Sequence, residues 1–194
     1  IKEFPNVFEP KIGDEYEMKG KWRSEYFKND HPIVLELGCG KGEYSVGLAK
    51  HFPNKNFIGV DIKGARMFIG ANEALEENLT NVAFLRTKID FINDCFIENE
   101  VDEIWLTFSD PQPQKPNKRL SSLPFVNRYR KLLKQGGIVH MKTDSDLLFE
   151  STVEQIDENK YELLELTWDL YGDLPENIDP QMREIFHIKT HYEK

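Results

Sequence analysis

The side chains best suited to chemistry lie in residues 104–119, IWLTFSDPQPQKPNKR, where an apolar run stops at one carboxylate, Asp110, and a proline-broken loop follows carrying Lys115, Lys118 and Arg119. Prolines at 111, 113 and 116 restrict φ and remove backbone donors, so this stretch can neither extend a strand nor open a helix. It must project as a stiff loop, and stiff loops position chemistry. An acid at a strand's mouth beside cations suits a nucleic-acid base and its phosphates. A second cluster is GCGKG at 38–42, between the apolar run IVLEL and a helical pattern. There Gly38, Gly40 and Gly42 permit a tight turn and close approach of a ligand to the backbone. Glu36 lies inside the preceding run, and Asp61 stands near the end of the next, NFIGVDI. An ionised acid at that place can accept hydrogen bonds from both hydroxyls of a ribose. The bland reading is ordinary turn chemistry, in which glycine and aspartate merely reverse the chain. Asp144, after IVHMKT, is a further acid at a strand end.

Elements that could hold these residues follow from periodicity and breakers. Strands are expected at 33–37, 56–62, 82–85, 101–108, 138–143 and 161–168, and helices at 43–51, 64–78, 91–97, 123–133 and 147–159. Pro53 ends the first helix, and Gly136 with Gly137 is expected to stop the fourth. Alternation at this spacing implies an α/β fold with a doubly wound, mostly parallel sheet. In such sheets ligands sit outside the carboxyl ends of the strands. Gly38, Asp61, Asp110 and Asp144 would then converge on one crevice. Residues 1–31 show no sustained period and read as an irregular N-terminal arm before a domain at 32–194. Trp22 in that arm could stack on a base or staple the arm to the core; Trp105 and Trp168 lie in expected strands and are assigned to the core.

The 194 residues suffice for one domain, and 39% apolar with 30% charged composition is that of a water-soluble globule. No apolar run approaches the roughly 20 residues of a membrane span, and the N-terminus lacks a secretory pattern. Cys39 and Cys95 have no ligand spacing and suit a reducing cytoplasm as small buried hydrophobes. The five histidines show no ligand pattern, so no metal is expected. Net charge is −9, yet residues 110–134 carry +6, leaving −15 elsewhere. Arg128, Arg130, Lys131 and Lys134 fall late in an expected helix, where cations complement the dipole without any ligand; Lys115, Lys118 and Arg119 belong to the loop.

The glycine turn, with its third glycine two residues after the second, resembles the first motif of S-adenosylmethionine methyltransferases. FSDPQP at 108–113 is similar to the FPDPWPKK motif of the tRNA (guanine-N7-)-methyltransferase family, a motif followed by a basic KRR. KGKW at 19–22, LELGCGKG at 35–42, KTD at 142–144 and TxYE at 190–193 resemble that family too, so the likeness spans nearly the whole chain. It implies a Rossmann-like class I methyltransferase that moves a methyl group from S-adenosylmethionine to N7 of a guanine in the variable loop of tRNA, releasing S-adenosylhomocysteine. It further implies Glu36, Gly38, Gly40, Gly42, Asp61, Asp90 and Asp110 at the cofactor, with Asp110 catalytic, and Lys115, Lys118, Arg119, Asp144, Thr190 and Glu193 at the substrate. The register after the third strand falls on Lys88 and Ile89, one or two places before Asp90.

Four positions depart from the motif: Ser109 for Pro, Gln112 for Trp, Gln114 for the first Lys, and Leu120 for the last Arg. Lys115 is therefore taken as the substitute for the lysine that Gln114 replaces. Thr190 and Glu193 have capping-box spacing, which announces a helix after Thr190; the family's closing helix and strand are expected to be missing from this chain. Monomer and homodimer remain open. So do two other classes: a small-molecule methyltransferase, and a cofactor-binding module without activity.

Overall fold

The computed structural model describes residues 4–11, 14–172, 180–188 and 190. Its centre is a six-stranded sheet: β1 (Val7–Phe8), β2 (Ile33–Leu37), β3 (Asn56–Asp61), β4 (Val82–Arg86), β5 (Val101–Thr107) and β6 (Leu133–Lys142). The spatial order is β1-β4-β3-β2-β5-β6, and every pairing is parallel. Order reverses between β2 and β5, so the crevice of a doubly wound sheet opens at their carboxyl ends.

Among the described residues the flanking α-helices are α1 (Glu43–His51), α2 (Gly64–Glu76), α3 (Leu123–Leu132), α4 (Asp146–Asn159) and α5 (Pro180–Phe186), the last packed on α1. β2 is apolar at four of five positions because both its faces are covered. Ile33, Leu35 and Leu37 join one core layer with Phe125, Tyr129 and Leu132 of α3; Val34 joins the other with Tyr44, Val46 and Leu48 of α1 and Met67 and Ala71 of α2. The alternation leaves Glu36 facing the α1 side, inside that second layer.

The arm is part of the core. Its β1 pairs with β4, and a six-residue π-helical turn, Trp22–Phe27, buries Trp22 completely. The indole donates to the Cys95 carbonyl at 3.0 Å and stacks on Phe96 at 5.6 Å. Trp22 is thus a staple and unavailable to a base.

Three expectations are corrected. Gly136 and Gly137 do not stop a helix: α3 ends at Leu132, and β6 begins at once with Leu133 extended. The glycines lie within β6 where its register against β5 shifts between Val101 and Glu103, and Gly136 takes φ +78° there. Residues 91–97 give a short 3-10 helix at Ile89–Asp94. Residues 161–168 form no strand; Leu163, Leu164, Leu166 and Trp168 are 45–64% exposed, so Trp168 is not core. A strand needs a neighbour for its backbone groups, and the sheet ends at β6 among the described residues. Trp168 lies against Phe149 instead, at 4.1 Å.

Candidate active site

The glycine turn is built by backbone bonds. Gly38 and Cys39 donate to the Val60 carbonyl at 2.8 and 3.1 Å, which lashes the exit of β2 to β3. Gly38, Gly40 and Gly42 all take positive φ. At Gly42 an added Cβ would also stand 2.6 Å from the Phe84 ring, so only glycine lets α1 start so close to the sheet. Asp61, closing β3, accepts from the Gly40 amide at 3.0 Å through one oxygen and from the Lys63 amide at 2.8 Å through the other. Asp61 also lines the crevice that the turn shapes.

Glu36 lies beneath this turn, 4% exposed. One carboxylate oxygen accepts from the Ser45 amide (2.8 Å) and hydroxyl (2.5 Å), and the other from the Thr107 hydroxyl (2.6 Å). Burial pushes its pKa up to about 7 although these three donors favour the ion. Glu36 therefore bolts β2 to the start of α1 and the end of β5. Ser45 and Thr107 were not singled out in the sequence; only their places opposite Glu36 give them this role. Burial also raises the thiol pKa of Cys39, helped by Glu36 and Asp61, which keeps it protonated and unreactive.

A cleft of about 410 Å³ opens above the turn, lined by Gly38, Asp61, Ile62, Thr87, Lys88, Ile89, Asp90, Gln112, Lys115, Lys118, Leu120 and Phe125. Five expected site residues meet there: Gly38, Asp61, Asp90, Lys115 and Lys118. Its mix of apolar side chains and two carboxylates fits a nucleoside, and the turn that admits no Cβ at Gly42 fits close approach of a ligand's chain. Lys88 and Ile89 line it with Asp90, so the whole stretch after β4 faces the cleft. Asp90 itself points toward cations, 3.4 Å from Lys118 and 3.9 Å from Arg128. A separate hollow of about 400 Å³ beside Glu15, Lys19 and Lys131 gathers none of the expected residues.

Asp110 and Asp144 stand at the neighbouring strand mouths. The Phe108 amide donates to the Lys142 carbonyl at 2.8 Å, so β5 and β6 leave the sheet side by side, each two residues before its acid. Phe108 (φ 47°) and Gln112 (φ 43°) are both left-handed, a conformation that costs non-glycine residues about 1–2 kcal/mol each. Left-handed backbone thus flanks the exposed Asp110 on both sides. Asp110 Oδ1 accepts from the Gln112 amide at 2.9 Å. Asp144 is exposed.

Arg119 is not where the loop reading put it. It is 7% exposed, its Nε donating to the Pro111 carbonyl at 2.9 Å and its NH1 group to the Ser151 hydroxyl at 2.6 Å. A guanidinium bound in this way ties the proline loop to α4. Lys115 and Lys118 stay exposed. Among the late-helix cations, Arg128 donates to the Pro124 and Asp90 carbonyls, Arg130 lies over Tyr161, and Lys134 pairs with Asp102. Thr190 is half-buried. Glu193, and the helix expected from Thr190 onward, lie outside the described residues.

A parallel sheet with this strand order, a glycine turn after its central strand and acids at the adjoining strand ends defines a Rossmann-like methyltransferase fold. Solved structures agree on the fold. The chain superposes on the aminoglycoside resistance methyltransferase NpmB1 with a TM-score of 0.55 at 18% identity, covering 78% of this chain and 73% of that one. A 16S rRNA (adenine(1408)-N(1))-methyltransferase mutant from Catenulisporales acidiphilia, solved with its cosubstrate SAM, gives 0.55 at 18% identity, covering 76% of this chain and 65% of that one. A family model described as "Putative methyltransferase" matches residues 30–194. Among curated relatives, the tRNA (guanine-N(7)-)-methyltransferase of Bacteroides fragilis (strain YCH46) is 54% identical over 98% of this chain and 75% of that protein. The protein of the same name from Porphyromonas gingivalis (strain ATCC BAA-308 / W83) is 48% identical over 100% of this chain and 80% of its own length. This chain belongs to the tRNA (guanine-N(7)-)-methyltransferase family. Among the described residues no helix is long and apolar enough to cross a membrane.

Proposed function

We propose that this protein methylates N7 of a guanine in tRNA at the expense of S-adenosylmethionine, in the cytoplasm, leaving 7-methylguanosine and S-adenosylhomocysteine. The observation that carries the reading is the strained strand mouth presenting Asp110 beside a nucleoside-sized cleft rimmed by Lys115 and Lys118. The glycine turn receives the amino-acid end of the cofactor, Asp61 the ribose, and the stretch from Lys88 to Asp90 the adenine side. When bound, the cofactor supplies a methyl group on a positively charged sulfur that departs as a neutral thioether.

Guanine N7 carries a lone pair and no proton, so the chain needs no strong base; its task is to hold the purine in line. As the new bond forms, positive charge spreads over the ring. The Asp110 carboxylate offsets that charge and accepts from guanine N1 and N2. Asp144 supports the purine from the adjoining strand end. Lys115 and Lys118 meet phosphates, the second by leaving Asp90, an exposed pairing that holds it weakly.

The test is incubation of the protein with bulk tRNA and methyl-labelled S-adenosylmethionine, followed by mass analysis of the nucleosides. Labelled 7-methylguanosine is expected. Label in another nucleoside, or in none, would refute the reading.

A further inference from the structure

The residue that opens the KTD stretch, Lys142, makes contacts that the reaction above does not use. Its Nζ donates to the Phe186 carbonyl at 2.9 Å and the Tyr171 hydroxyl at 3.1 Å, and stands 3.5 Å from the Ile188 carbonyl. It also lies over the rings of Phe108 and Tyr171, each 5.3 Å away, and of Tyr44, 5.6 Å away. One ammonium group thus touches the exit of β5, the start of α1, the chain at Tyr171 and the end of α5. The backbone of the same residue accepts from Phe108, two residues before Asp110, and Asp144 follows two residues later.

We propose that Lys142 is a positioning residue for the substrate end of the site, pinning the end of α5 and the chain at Ile188 to the mouths of β5 and β6. The inference rests on the tRNA-methylating reading. Three physical points support it. Carbonyls at the end of a helix lack intrahelical donors and carry partial negative charge, so a buried-side ammonium satisfies them and complements the dipole. Aromatic faces add cation–π attraction that a neutral side chain cannot supply. A seven-residue helix is also too short to hold itself together, so α5 depends on what it docks against. Other anchors lie toward α1: Ile185 is buried there, Met182, Phe186 and Ile188 pack against the same core, and Glu184 stands 3.2 Å from His51. Lys142 adds a charged link from the Phe186 and Ile188 carbonyls to the strand exits where Asp110 and Asp144 follow.

The experiment compares the full-length wild type with Lys142→Met, which keeps the stem and loses the charge, and Lys142→Arg, which keeps the charge. Amide exchange, thermal midpoint, S-adenosylmethionine affinity and tRNA methylation kinetics are read on each. Lys142→Met should exchange faster at 180–188, keep cofactor affinity within about twofold, and lose about tenfold or more in kcat/KM for tRNA, chiefly through KM. Lys142→Arg should recover part of that loss. Wild-type exchange and tRNA kinetics in Lys142→Met would overturn the proposal. So would a drop in cofactor affinity as large as the tRNA loss, because that marks a general brace. If the wild type methylates no tRNA, the functional reading fails by itself, and exchange at 180–188 in Lys142→Met still decides whether the pin exists.

Discussion

The two groups of residues that the proposed function assigns to the cofactor and to the substrate are held by different means. On the cofactor side, the turn at Gly38–Gly42 is fixed by amides bonded to Val60 and Asp61, and its floor by a carboxylate with three donors. On the substrate side, Asp110 has a single bond within its own loop, Asp144 is exposed, and the loop is held from behind by Arg119. Under the proposed function, the difference follows from what each half would receive. A small ligand can be enclosed, so its cradle is prearranged in the backbone, where every buried polar group must be satisfied. A macromolecule must reach in from solvent, so the groups that meet it stay open and their aim is set by buried side chains of other elements.

Several substitutions separate the halves. The largest effect is expected from Asp110→Ala, which should abolish turnover, by about 100-fold or more in kcat, with only a modest loss of tRNA affinity. Equal single-turnover rates for mutant and wild type would remove Asp110 from the mechanism. Gly42→Ala should act on the cofactor half instead. The positive φ and the 2.6 Å approach to Phe84 should cost about 1–3 kcal/mol of stability and weaken cofactor binding, as denaturation and calorimetry can read.

The Glu36 bolt gives a pH signature confined to the cofactor half. Its folded pKa of about 7 lies above the ordinary 4.5, so the stability that is intact below pH 4.5 is lost as pH rises through about 7. At about 1.4 kcal/mol per pKa unit, the loss is about 3 kcal/mol between about pH 5 and about pH 8.5. Urea denaturation at those two values should show it in the wild type and not in Glu36→Gln, which mimics the protonated acid. The smallest effect contrasts two cations of one loop. Lys115→Ala should lower the slope of log affinity for tRNA against log salt by about one, whereas Arg119→Ala should cost stability and leave the slope unchanged. A reduced slope for Arg119→Ala would show that its bonds to Pro111 and Ser151 open in the complex.

Much of the site could be read in the order of residues. Apolar runs ending in Gly38, Asp61, Asp110 and Asp144 placed four groups at strand ends, and parallel pairing brought those ends to one side. What escaped reading was every contact between side chains distant in sequence. Nothing near Glu36 announces that Thr107, 71 positions later, donates to it. Arg119 looked like its neighbours Lys115 and Lys118 because all three are cations in one proline loop; only α4, brought behind that loop, separates their roles.

Local pattern and backbone chemistry determined the fold class, the glycine turn and the stiff loop, because periodicity, positive φ and proline act within a few residues. Packing between distant elements decided which side chains are free to meet a ligand. It made Trp22 a core staple, withdrew Arg119, and set Lys142 against α5. Among the described residues it also left 161–168 without a strand beside it, since an apolar alternation becomes a strand only where a neighbour offers its hydrogen bonds.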